Sequence, residues 1–435
     1  MSLTASIVLR RLVLLAALAL GSCGGGGGSV GDGVGGGTTV GSDIGSGGTG
    51  IAGVGGVGSG GTGVAGGGEG VGSGGTGVTA DAGVGSVDGF GSIIVNGVRY
   101  EIATATTVLS DVSALKLGMT VRVTGTLSAD LTQGTATLVV SAADLRGAVS
   151  GLSASDGTFK VLGVQVSTDP ATVYAGGLMA FSGLANGTSV QVHGLPGDDG
   201  QLHATRIERL AAAQEPVLTG YVQELDRGAR TFRIGTQRVS YAAADFPGDW
   251  PPSRLADGVV LRVRARTVAS TLAATSVEPW NPTPLRDGSR LSLGGLVSDY
   301  SGVTSLRIDG VPADISGARL TGSVNVTMAN GARVEATGTM RGGVLQVSTF
   351  RIRQSAPTPA IAAPLAEPTS FSARGSVGAY RSPADFKVQS QDVDASGATF
   401  VGGTAKDLGP SRKVLVTGSR VRDDVLVADQ VEFLN

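Results

Sequence analysis

Aromatic side chains are scarce in this chain, at 4% of 435 residues, and it has two histidines and one cysteine. One thiol leaves no second partner for a disulfide, so the fold must stand without covalent staples. Two histidines with no cysteine or repeated acid beside them complete no metal site, so neither a metal nor a cofactor is expected. Charge of one sign is also missing, with 33 Lys and Arg against 35 Asp and Glu. That balance exerts no long-range pull on nucleic acid, which is not expected as a partner, or on an anionic membrane surface. Helical periodicity is nowhere sustained for more than a few turns. The unbroken apolar run at 12–20 falls short of the roughly 20 residues that a bilayer-crossing helix needs.

What is present begins with a targeting segment. Arg10 and Arg11 precede the apolar run, and Leu20-Gly21-Ser22-Cys23 follows it directly. Small residues before a cut, with Cys at the first mature position, resemble the lipobox of bacterial lipoproteins. The resemblance implies that residues 1–22 are a signal peptide and that the Cys23 thiol carries a diacylglycerol. Several acyl chains would hold the membrane firmly, since each buried methylene contributes about 0.8 kcal/mol. In such lipoproteins an Asp just after the Cys favours inner-membrane retention. Gly24 stands there, so the resemblance implies an outer-membrane anchor.

Glycine is the opposite extreme, at 73 residues, and it crowds into the stretch 23–83. A phrase recurs there as Gly45-Ser46-Gly47-Gly48-Thr49-Gly50, Gly58-Ser59-Gly60-Gly61-Thr62-Gly63 and Gly72-Ser73-Gly74-Gly75-Thr76-Gly77. Such composition cannot bury enough apolar surface to offset the entropy of ordering. It is expected to be a disordered tether, with an end-to-end distance of roughly 40–45 Å. Its chance matches to dinucleotide and nucleophile-elbow patterns, such as Gly31-Asp32-Gly33-Val34-Gly35-Gly36, lack the strand and helix that give those patterns meaning.

Beyond residue 83 a unit repeats five times. The units open on Gly85-Ser86-Val87, Gly147-Ala148-Val149, Gly220-Tyr221-Val222, Gly295-Leu296-Val297 and Gly375-Ser376-Val377. Each continues to an alternating stretch such as Val121-Arg122-Val123-Thr124-Gly125 or Val190-Gln191-Val192-His193-Gly194, with the period of a half-buried strand. Each closes on a further strand, placed at Ala142 to Leu145, Ala204 to Ile207, Ala274 to Val277, Val347 to Phe350 and Ala428 to Val431. The openings lie 62, 73, 75 and 80 residues apart. Solenoid repeats are commonly about 20–50 residues, whereas units of this size can each hold a small core.

The expectation is therefore all-β: five tandem small OB-like β-barrel modules strung as beads after the tether, with small sandwiches as the alternative. The modules fall at 84–146, 147–211, 215–280, 291–354 and 370–435, with a Pro-rich linker at 355–369. The Gly-x-Val opening, the Gly-x-x-Val-x-Val-x-Gly stretch and the Ala-x-x-Ile/Val ending resemble a tandem bacterial domain of unknown function found in lipoproteins and other exported proteins. Module 3 departs from it with Ala265 where Gly is expected. Module 5 departs with Pro410 to Lys413 between Gly409 and Val414. The family brings no catalytic residues.

Residues that could carry chemistry are few. His193 and His203 could meet across a hairpin, but they read as exposed strand residues. Asp198-Asp199 and Asp423-Asp424 read as turn residues that point apart. Trp250 and Trp280 are the candidates for stacking on a ligand. Trp250 lies in a Pro-rich loop that suggests exposure, although a cap over the barrel end is the favoured reading. The sequence thus points to a non-enzymatic, lipid-anchored envelope protein, a modular spacer or binding array for glycan or another envelope protein. The alternative is a glycan-active enzyme or glycan-binding protein with its site in or between modules.

Overall fold

A computed structural model describes residues 81–197, 200–268, 271–280, 286–321, 328–354 and 370–434. The signal peptide, Cys23, nearly all of the tether, Asp198-Asp199 and the Pro-rich linker lie outside the described residues. Among those described, the chain is all-β, with three single 3-10 turns and no α-helix.

Alternating Val, Ile and Thr give short strands that all follow one plan. In module 1 the opening strand Asp81–Phe90 pairs antiparallel with Ile93–Val95, and Ile93–Val95 pairs with Val98–Glu101. Val98–Glu101 then runs parallel to the closing strand Gln133–Ala142. The closing strand pairs with the alternating strand Thr120–Leu127, which returns to the opening strand. The pairings run in a closed circuit, which leaves little free edge on a small sheet. A short strand, Thr106–Ser110, adds in parallel to the far end of the closing strand. The same circuit recurs in module 2, module 3, module 4 and module 5.

The repeated motifs have a physical origin. The Val of each opening accepts a bond at its carbonyl from a residue in the left-handed region: Gly118 to Val87, Gly187 to Val149, Gly258 to Val222, Gly331 to Val297 and Ser411 to Val377. In module 5, Ser411 therefore holds the place that Gly holds elsewhere, which explains the irregular spacing after Gly409. The opening Gly leaves room for the hairpin turn folded across it. A Cβ on Gly85 would lie 2.2 Å from Asn96 Oδ1, and one on Gly295 would lie 2.9 Å from Asp309 Cβ. The second Gly sits at a β-bulge opposite Ala136, Ala204 or Val347, and Ala265 holds that bulge in module 3 opposite Ala274. The residue of module 1 equivalent to Ala204 is therefore Ala136 rather than Ala142, and Leu145 already belongs to the next opening strand, Leu145–Ser153.

The modules are not beads on a string. The first half of each opening strand overhangs its own hairpin and keeps one edge free. Those overhangs pair with one another: Ala82, Gly83 and Val84 with Leu291, Ser292 and Leu293 of module 4, and Leu145 and Arg146 of module 2 with Leu218 and Val217 of module 3. Gly89 and Phe90 pair with Ser372 and Ala373 of module 5, and Tyr174 of module 2 with Arg422 of module 5. Core packing follows these seams. One apolar cluster joins modules 1 and 5, a second joins modules 2 and 3, and a third takes Ala82 and Val84 into module 4. Asp81, read as tether, is buried and anchors this arrangement. Its carboxylate accepts the backbone N–H of Leu127 at 2.7 Å and that of Arg290 at 2.8 Å.

Candidate functional site

Part of the polar phase of the strands faces neighbouring modules rather than water, and this moves several residues from where the sequence puts them. His193 is fully buried between modules 1 and 2, with Nδ1 3.1 Å from Thr120 Oγ1. Burial, with the Arg206 and Arg262 cations nearby, pushes it down to about 3, so it is neutral. His203 is buried too, with Nε2 3.0 Å from Asp169 Oδ2 and Nδ1 3.2 Å from Ser167 Oγ. Neither is an exposed strand residue. Nor do the two face each other, since His193 lies opposite Arg206 and His203 opposite Leu195. Arg333 of module 4 shares the same Asp169 oxygen at 3.0 Å. Burial raises the Asp169 carboxyl, but His203 and Arg333 outweigh it and hold the group well below the usual carboxylate range.

Asp423 and Asp424 have separate partners, Asp423 in module 2 and Asp424 in modules 1 and 2. Asp423 Oδ1 accepts the Gly177 N–H at 2.9 Å, while Asp424 pairs with Lys116 and, at 2.7 Å, with Arg206. Trp250 is only 7% exposed, and its ring stacks on Phe246 at 6.2 Å and 18°. It packs as part of the core shared by modules 2 and 3, which corrects the exposure suggested by its loop. Trp280 is half-buried. Its Nε1 donates to Asp144 Oδ1 at 2.9 Å, and the Arg262 guanidinium sits 5.1 Å over its ring. One face and the polar handle are thus committed to a seam between modules.

The largest cluster of buried charge is one that the sequence did not single out. Asp111, in the loop before Thr120–Leu127, pairs with Arg146 at 2.7 Å, Arg264 at 2.8 Å and Arg262. Its partners come from modules 2 and 3. A further seam joins Arg353 of module 4 to Asp88 of module 1 at 3.4 Å and to Glu335 at 2.6 Å. Burial and the Glu335 charge push Asp88 up to about 6. Arg at the polar phase of an apolar strand, as at Arg146, Arg262 and Arg333, was the available signal.

Two further carboxyls are raised as Asp88 is. Burial pushes Asp144 up to about 6, even though it accepts bonds from the Gly194 N–H, Thr120 and Trp280. Burial and the Asp144 charge push Asp309 up to about 7. A carboxyl whose folded value exceeds its unfolded one holds its proton more tightly when folded. Stability is then greatest below the unfolded value and falls as pH rises toward 7. Asp309 lies at φ +49, where Asn is well tolerated. Asp309→Asn is expected to stabilise the protein by about 1–2 kcal/mol at pH 8, after discounting for partial exposure, and by nothing at pH 3. Urea unfolding curves at the two pH values test this; an equal effect at both would refute it.

Module 3 carries a cleft of about 390 Å³ lined by Arg227, Arg230, Tyr241, Phe246, Pro252 and Ser253, among others. It occupies the place where modules 1, 2, 4 and 5 have the short parallel strand. Module 3 has only the isolated bridge Asp245 to Ser276 there.

With this geometry in hand, comparison with known proteins gives one family. The model described as a domain of unknown function (DUF5666) matches residues 83–139 and 146–208. The chain thus carries two tandem copies of that domain, and they fall on modules 1 and 2. Among solved structures, one titled drosophila Unr CSD456 is similar over 52% of this chain and 99% of that one, at 15% identity and a TM-score of 0.14. No curated protein matches.

Proposed function

We propose that the chain is a lipid-anchored protein of the bacterial cell envelope, held at the outer membrane through Cys23. In this reading five OB-like barrels form a stiff modular spacer or binding array with no enzymatic role. Its partners are the membrane and a glycan or another envelope protein. The observation that carries the reading is how the buried charges are used. Asp81, Asp88, Asp111, Asp169 and Asp424 each join residues of different modules. Buried polar groups spent on seams between modules serve shape, and the lipobox and tether supply the attachment. The closed rings, repeated with one register, support reading modules 3, 4 and 5 as further copies of the domain matched twice.

Incorporation of labelled palmitate tests the anchor. Wild type is expected to take up label and to sediment with outer membranes, and Cys23→Ser is expected to lose both. Label retained in the variant would sink the reading. The glycan-active alternative draws on Asp144 and Asp309, two of the three carboxyls with raised values. Asp144 has both oxygens committed to Thr120, Gly194 and Trp280, which favours a strut over an acid. Hydrolysis of an envelope polymer by the purified chain, abolished in Asp309→Asn, would establish that alternative.

A further inference from the structure

We propose that the cleft of module 3 binds an acidic saccharide, one whose sugar ring bears a carboxylate. This rests on the binding-array form of the function proposed above. The first argument is the departure from the repeat. Four modules spend the segment before the alternating strand on a short strand, whereas module 3 spends it on the sequence Phe246-Pro247-Gly248-Asp249-Trp250-Pro251-Pro252. A copy that gives up the common strand for aromatics and prolines has exchanged sheet for a shaped wall.

The wall is rigid. Phe232 stacks on Tyr241 at 5.8 Å, Tyr241 meets Phe246 edge-on at 6.2 Å and 86°, and Trp250 backs Phe246. Tyr241 and Phe246 thus form a right-angled corner lining the cleft. Such a corner suits the C–H face and edge of a puckered ring better than a planar base, which needs parallel faces. The cations are placed on the same side. Arg227 is braced by the Leu255 and Pro252 carbonyls. Arg230 is exposed and has no carboxylate partner among the described residues, and no acid lines the cleft. Of the acids of this module, Asp226 accepts the Ala229 N–H, Asp257 the Leu225 N–H, and Glu224 pairs with Arg233. A planar guanidinium free to make a forked pair matches a carboxylate, and Ser253 adds a hydroxyl. The volume falls within the roughly 300–1,000 Å³ of ligand sites.

The test titrates the full chain with a tri-uronate, using calorimetry and tryptophan fluorescence, with maltotriose and inorganic phosphate as comparators. The tri-uronate is expected to bind at least tenfold more tightly than either comparator. Arg230→Ala, an exposed position that spares the fold, is expected to weaken it roughly 10–100-fold, as loss of a charge-assisted pair does. Unchanged affinity in Arg230→Ala, absence of uronate binding, or phosphate binding as tightly as uronate would each overturn the proposal. Palmitate labelling of Cys23 is indifferent to these results, so failure here and failure of the anchored reading are told apart.

Discussion

Asp111→Ala is expected to cost about 3–5 kcal/mol of stability, the range for breaking a buried ion pair by removing one partner. The carboxylate is 7% exposed, and the two guanidiniums that depend on it most, Arg146 and Arg262, are 4% and 2% exposed. Deleting Asp111 leaves both cations in a low dielectric, Arg262 with the part-exposed Glu278 at 2.9 Å as its remaining carboxylate among the described residues. Arg264 is the control. It is 27% exposed, so Arg264→Ala should cost about 1 kcal/mol or less. Burial raises the Asp111 carboxyl, but hydrogen bonds from Arg264 and Arg146 outweigh it and hold the group low. Its stabilisation is therefore present above the unfolded carboxylate value and fades as pH falls through the folded one, the reverse of Asp309. Denaturant unfolding of the three proteins at pH 7 checks the ranking. Equal losses for Asp111→Ala and Arg264→Ala would show that the cluster is not a unit.

Gly91→Ala is expected to loosen module 5 from module 1. Gly91 lies at φ +113, and a Cβ there would sit 2.4 Å from the Arg374 carbonyl oxygen, a backbone atom with little freedom to yield. The neighbouring pairs Gly89 to Ser372 and Phe90 to Ala373 form the ladder between these modules. Strain and overpacking together should cost about 2–4 kcal/mol. The loss should appear in calorimetry as an early transition separating from the main one. A single transition at the wild-type temperature would contradict it.

The all-β class and the repeated strands of each unit were legible because their signals are local. Glycine marks the two places where one strand crosses another, and the alternation of Val121-Arg122-Val123 marks a half-buried strand. The seams were not legible, because a polar phase looks the same whether it faces water or another module. His193 and His203 read as exposed strand residues and are buried. Asp81 was assigned to the tether for the same reason: its partner Arg290 lies 209 positions away. Of the candidate stacking pair, Trp250 is buried against Phe246, contrary to the exposure its prolines suggested and in keeping with the favoured reading of a cap. The cleft gave only an indirect signal, the concentration of both tryptophans in module 3.

The overhang pairing also dictates an order of assembly. Ala82, Gly83 and Val84 emerge first from any machine that delivers the chain from its N-terminus. Their partners Leu291, Ser292 and Leu293, and later Ser372 and Ala373 for the end of the same strand, come last. Until then, one flank of the earliest ring to form waits as bare strand. Contacts of such sequence separation are slow to close, and unpaired flanks invite association with other chains in the interval. The completed molecule is locked by the arrival of its own tail.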